Sequence, residues 1–156
     1  MKPGNGKRKT ENDEISCSFP VSRFPFYDPK MKFIATESAP KAIGPYSQGV
    51  VEGGFLFASG QIPLDPGSGE LVAGGLEASV ERIFDSLEGV LKAAGLTLAD
   101  VVKTTVYLVR AEDFPTMNGI YARRFGDHRP ARSTVIVAAL PKGAPVEVDL
   151  IARVGR

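Results

Sequence analysis

The stretch Glu77 to Val109, EASVERIFDSLEGVLKAAGLTLADVVKTTVYLV, decides the fold. Its first half sets Val80, Ile83, Phe84, Leu87, Leu91 and Ala94 at three- and four-residue steps, the spacing of one apolar helix face. Gly95 follows where a helix prefers a left-handed closing residue, so the spacing predicts a helix over 77–94. The second half, from Val101 to Val109, is β-branched and aromatic with no breaker, and reads as a central strand.

Downstream, Asp113 stands in a capping position with Pro115 in the first turn. Phe114, Met117, Ile120, Tyr121 and Phe125 form an apolar face, and Gly126 stops this second helix. Pro130-Ala131-Arg132-Ser133-Thr134 then delivers Arg132 to the start of a strand expected to be buried. The apolar run Val135 to Ala139 has no helical spacing and closes on the turn Leu140-Pro141-Lys142-Gly143. Val146 to Val154 alternates strictly, with Val146, Val148, Leu150, Ala152 and Val154 on one face and Glu147, Asp149, Ile151 and Arg153 on the other. With the preceding strand it is expected to form a hairpin.

Upstream, two apolar runs flank Gly53-Gly54, the signal of a tight hairpin, since primed turns need positive φ. Asp65-Pro66-Gly67-Ser68-Gly69 is a second turn, with a short strand predicted at Leu71-Val72-Ala73. The order β-β-β-α-β-α-β-β argues for an α+β domain, a mixed β-sheet with two helices packed on one face. The other face carries Lys103, Thr105, Tyr107, Glu147 and Asp149 among apolar residues, and such a half-polar face often meets another subunit.

Composition agrees with one domain. A chain of 156 residues with 43% hydrophobic and 24% charged residues can build a sizeable core. Net charge is +1, so no global field draws it to nucleic acid or anionic lipid. Cys17 is the only cysteine and His128 the only histidine, which argues against a disulfide framework and a metal centre. No apolar run is long enough to cross a bilayer, and Lys7-Arg8-Lys9 is followed by Glu11, Asp13 and Glu14 where a signal peptide would be apolar. The expectation is a soluble cytoplasmic protein. Residues 1–30, polar and then rich in proline and aromatics, are expected to be a disordered extension, leaving a single domain over 31–156; Met31 is a second candidate start.

Several residues can carry chemistry. Arg132 offers a rigid fork of donors suited to a carboxylate or phosphate, although a structural pairing with Glu147 or Asp149 competes with that reading. Gly44-Pro45 fixes the backbone before Tyr46, whose hydroxyl would then be presented to a ligand. Ser59-Gly60-Gln61 ends a strand where a ligand can approach the backbone. Glu147 is the best acid/base candidate, because the neighbouring Asp149 carboxylate tends to raise one pKa of the pair. In the predicted hairpin Glu147 would sit near Val137, five positions or roughly 16 Å along the strand from Arg132. The two would then share a ligand only across two subunits.

Taken together, Ile34-Ala35-Thr36, Ala42-Ile43-Gly44-Pro45-Tyr46-Ser47-Gln48, Ala58-Ser59-Gly60-Gln61-Ile62-Pro63, Val102 to Tyr107, Met117-Asn118, Pro130-Ala131-Arg132-Ser133 and Val146-Glu147-Val148 closely resemble the reactive intermediate deaminase family, RidA, also called YjgF. The match runs from about Met31 to the end. The resemblance implies a homotrimer of chorismate-mutase-like subunits with three clefts between neighbours. It implies hydrolysis of reactive enamines and imines, such as 2-aminoacrylate, 2-iminopropanoate and 2-iminobutanoate, to 2-oxo acids and ammonia, without a cofactor, as protection against metabolite damage. Arg132 matches the arginine that grips the substrate carboxylate; Tyr46, Ser59, Gly60 and Asn118 match other cleft residues, and Glu147 the residue proposed to orient or activate water. Thr134 stands where many relatives have cysteine, and Asp149 where glutamate is frequent. Two other readings are an endoribonuclease that inhibits translation, supported locally by Arg123-Arg124, His128-Arg129 and Lys7-Arg8-Lys9, and a non-catalytic trimer that binds metabolites or unfolded proteins.

Overall fold

A computed structural model describes residues 31–155. The expected extension and the basic triplet therefore lie outside the described residues. Among the described residues six strands form one sheet: β1 (Lys32–Ile34), β2 (Gly49–Glu52), β3 (Phe55–Gln61), β4 (Val101–Leu108), β5 (Ala131–Ile136) and β6 (Val146–Arg153), in the spatial order β1-β2-β3-β6-β4-β5. The helices are α1 (Gly75–Ala93) and α2 (Phe114–Phe125).

The periodicity of α1 translates directly into burial: Val80, Ile83, Phe84, Leu87, Val90 and Leu91 lie in the core. Gly95 (φ 77°) closes the helix in a Schellman motif, its N–H donating to Lys92 O at 3.0 Å while the Leu96 N–H donates to Leu91 O at 2.9 Å. Beside α1 lies α2, with Phe84, Tyr121 and Phe125 in edge-on and tilted ring contacts at 4.5 to 5.8 Å. Arg124 of α2 reaches Glu81, Asp85 and Glu88 of α1, each at 2.8 Å. Those acids recur at the same helical steps as the core residues, so one guanidinium spans all three.

At Gly53 (φ 58°) and Gly54 (φ 81°) the chain makes the two-residue turn the sequence predicts, joining β2 to β3. β6 does alternate, and its apolar face packs under the helices because β3 and β4 flank it on both sides.

Four expectations need correction. β5 forms no hairpin with β6; it pairs with β4 in parallel, at the sheet edge, with α2 as the crossover that parallel pairing requires. Nor is β5 buried: Val135 and Ile136 are 42% and 53% exposed, since an edge strand has a neighbour on one side only. The chain leaves the sheet after Ile136 and turns through Pro141–Gly143, where Lys142 adopts φ 56°. Leu71-Val72-Ala73 makes a single bridge, Leu71 to Leu64, and the remaining strand is instead β1, too short at three residues to show a period. Asp113 does precede α2, but its carboxylate takes the Arg110 guanidinium at 2.7 Å rather than capping the helix. His128 Nε2 lies 2.6 Å from Val101 O.

The register also fixes the face away from the helices. Lys103, Thr105, Tyr107, Glu147 and Asp149 alternate there with Phe57, Phe55 and Val135.

Candidate functional site

The candidate residues fall into two groups. Tyr46, Ser59, Gly60 and Glu147 line one cavity of about 360 Å³, together with Pro40, Lys41, Ile43, Gln48, Gln61, Ile62, Leu64 and Pro141. Between Ala58 and Gln61, β3 carries one residue more than the facing β6, which pairs Ala58 with Leu150 and Gln61 with Val148. A bulge of this kind re-aims the backbone, here at Ser59 and Gly60. The Ser59 hydroxyl donates to Ser47 O at 2.6 Å and so ties the bulge to the loop before β2. Across it lies Glu147, whose carboxylate covers Gly60: a Cβ at position 60 would overlap Glu147 Oε1. Glycine is required there by the close approach of the carboxylate. Gly60→Ala is expected to displace Glu147 and lower turnover on the order of 10²-fold while the far-ultraviolet circular dichroism stays unchanged; full activity in that variant would remove Glu147 from the chemistry.

The Glu147 side chain is half-buried, and burial first, then the neighbouring Asp149 charge, raises its pKa. Asp149 in turn accepts a hydrogen bond from Tyr107 Oη at 3.0 Å. Tyr46 is 49% exposed, and its hydroxyl accepts a long bond from the Ile43 N–H at 3.3 Å, so it stands at the cavity mouth with donor capacity left. The loop that carries Tyr46 is held by a residue to which the sequence reading gave no role. Gln48, buried, accepts from Thr36 N–H at 2.6 Å and donates to Thr36 O, Ala39 O and Pro40 O at 3.0, 3.2 and 2.7 Å. Nothing in the sequence around Gln48 marks that role, because its partners are met only in the fold.

Arg132 and Asn118 belong to a second cavity of about 290 Å³, lined also by Tyr121, Ala122, Phe125, His128, Arg129 and Pro130. Arg132 Nη2 donates to Asn118 Oδ1 at 2.8 Å, and the guanidinium lies over the Tyr121 ring at 4.5 Å and the Phe114 ring at 5.8 Å. Tyr121 is held from below by Thr104, hydroxyl to hydroxyl at 2.8 Å. Among the described residues no carboxylate lies within ion-pair distance of Arg132, so the pairing with Glu147 or Asp149 is not made.

The two groups lie on opposite faces of the sheet. Arg132 is in register with Thr104, which points to the helices; Glu147 is in register with Tyr107, which points away. Arg132 and Glu147 are thus separated by the sheet itself and not by the predicted run along a hairpin, which does not form. Within one chain no small ligand touches both.

Among the described residues no group of three or more His, Cys, Asp or Glu side chains is placed to hold a metal, and no helix is long and apolar enough to cross a membrane.

A family model described as Endoribonuclease L-PSP matches residues 36–154. A human protein named 2-iminobutanoate/2-iminopropanoate deaminase is 46% identical over 121 residues, covering 78% of this chain and 88% of the human one. Among solved structures, a putative endoribonuclease from Thermotoga maritima is 50% identical with a TM-score of 0.78, over 80% of this chain and 98% of that one. E. coli TdcF with bound serine is 40% identical with a TM-score of 0.75, over 80% and 99%. A match across nearly the whole described chain, on the same mixed sheet with two helices, settles the relationship: this chain belongs to the RidA (YjgF) family.

Proposed function

We propose that this protein hydrolyses 2-imino acids, and the enamines that tautomerise to them, to 2-oxo acids and ammonia, in clefts between the subunits of a homotrimer and without a cofactor. The observation that carries this reading is Arg132: a guanidinium stacked on Tyr121, steadied by the neutral Asn118, with no carboxylate of its own among the described residues. Such a group suits the carboxylate of a small substrate. The naming of the human relative and the serine in the E. coli relative support the same substrate class.

Each cleft then takes Arg132 and Asn118 from one subunit and Tyr46, Ser59, Gly60 and Glu147 from its neighbour. The Arg132 fork holds the substrate carboxylate, and Glu147 receives a proton from water as the water oxygen bonds to the imine carbon. The resulting carbinolamine carries oxygen and nitrogen on one carbon. With the imine bound in its N-protonated form, that proton returned to the carbinolamine nitrogen makes an ammonium leaving group; the hydroxyl passes its proton to the Glu147 carboxylate as the C=O bond forms and the C–N bond breaks, and ammonia departs from the 2-oxo acid. Because an imine carbon is already electrophilic, orientation and general acid/base action supply the chemistry and no covalent nucleophile is needed.

Glu147 must be ionised to accept that proton. Its raised pKa therefore moves the acid limb of the rate to a pH above the ordinary glutamate value of 4.5, and activity rises with pH through that limb. The test is stopped-flow release of 2-oxo acid from imines generated in situ by an amino-acid oxidase, followed across pH. A flat profile down to pH 4.5 would remove Glu147 as the base.

The endoribonuclease reading loses the support that it drew from the described residues. Arg123 pairs with Glu81, and Arg124 with Glu81, Asp85 and Glu88. His128 meets Val101 O, and Arg129 donates to the carbonyls of Gly126 and His128. Cations already bonded within the domain make a poor phosphate track.

A further inference from the structure

Tyr107 of β4 stands opposite Glu147 of β6, and Thr105 opposite Asp149, on the face away from the helices. The pairing gathers two carboxyls and a phenol, of which the hydrolysis above uses Glu147 alone. Tyr107 Oη donates to Asp149 Oδ2 at 3.0 Å, whereas among the described residues Glu147 has no hydrogen-bond donor.

We propose that Tyr107 and Asp149 are positioning residues for Glu147: the phenol's hydrogen bond reserves the Asp149 carboxylate as an acceptor, so the proton for which the two carboxyls compete resides on Glu147. The consequence for turnover rests on the deaminase reading; the location of the proton does not.

Proximity alone does not decide which of two neighbouring carboxyls holds a proton for which they compete. Tyr107 supplies the asymmetry. The phenol's bond is stronger to an anionic than to a neutral acceptor, so protonating Asp149 on either oxygen weakens it, while protonating Glu147 leaves it intact. The hydrogen bond to Asp149, and then burial, raise the pKa of Tyr107, so it keeps the proton that it donates. Among the described residues of one chain no other group gives either carboxyl a hydrogen bond, and in the proposed cleft the neighbour's Arg132 adds the same positive charge in wild type and in both variants tested below. Lys103 on the same face donates to Ser133 Oγ and Thr104 O, and Arg153 sits at the far end of β6. β3 presents only the neutral Ser59, Gly60 and Gln61, β5 presents Ser133, and the loop before β2 brings Lys41 and Tyr46 to the cavity. The helices lie on the other face.

The proposal is tested by carboxyl ¹³C NMR titration of the full chain in its assembled state, with the Glu147 signal identified by its loss in Glu147→Gln. Tyr107→Phe lets Asp149 compete for the proton and is expected to lower the Glu147 midpoint by roughly half to one pH unit; Asp149→Asn, which removes the competitor's charge, lowers it at least as far. The acid limb of imine hydrolysis should move in parallel in both variants. An unmoved Glu147 midpoint in both, or an Asp149 signal that already titrates above Glu147 in the wild type, overturns the assignment. So does a Tyr107→Phe enzyme slowed equally at every pH with its limb in place, which is what a packing role would give. Absence of turnover in the wild type would defeat the deaminase reading, while the NMR titration would still decide where the proton resides.

Discussion

Arg132→Ala is expected to lower 2-oxo acid release from in situ imines by roughly 30- to 3000-fold, because truncating one partner of a desolvated charge pair costs about 2–5 kcal/mol and each ~1.4 kcal/mol is tenfold. Little of that loss should come from the fold. Arg132 lies on the edge strand, its only side-chain hydrogen bond among the described residues goes to Asn118, and the ring beneath it keeps its own bond to Thr104. What disappears is the fork. Arg132→Lys separates charge from geometry: an ammonium restores the positive point but not two parallel donors, and it stacks less well on Tyr121. Activity should therefore rank wild type, then lysine, then alanine, with the assembly unchanged by light scattering. An alanine variant within threefold of wild type would show that the substrate carboxylate is held elsewhere.

How much of this was legible in the sequence depends on where the information lies. α1 was readable because its own spacing states which face is buried, and the Gly53-Gly54 turn because positive φ at two successive positions has few chemical solutions. The exposure of β5 is not legible in its sequence, for a physical reason. A run of β-branched residues says that a strand forms, but exposure depends on what lies beyond the strand, and Val135 and Ile136 have nothing beyond them among the described residues. The hairpin failed likewise: nearness in sequence suggested β5 beside β6, whereas β6 inserts between β3 and β4 and leaves β5 to pair across α2. Arg132 and Glu147 were visible through their chemistry. The supports of the site were not, since Gln48 and Tyr107 act through partners 42 or fewer positions away that only the folded chain reveals.

Mixing two dead variants should restore activity. The Arg132 and Glu147 groups occupy opposite faces of one sheet, so an active site that uses both needs two chains. In the proposed closed ring of three, each cleft joins one chain's arginine to the next chain's glutamate. Arg132→Ala and Glu147→Gln are each expected to be nearly inactive alone, because every cleft in either ring lacks one group. Unfolded, mixed in equal amounts and reassembled, they give rings of which about three quarters contain both variants, and each such ring has one cleft with both groups intact. Activity should recover to about a quarter of wild type and no further. The plateau distinguishes arrangements that a simple loss of activity cannot: a site built within one chain recovers nothing, because neither chain carries both groups. A chain with both substitutions, mixed with wild type in the same way, is the complementary control. There a cleft works only where two wild-type chains adjoin, so activity falls faster than the fraction of wild-type chains; a site within one chain would make the fall proportional.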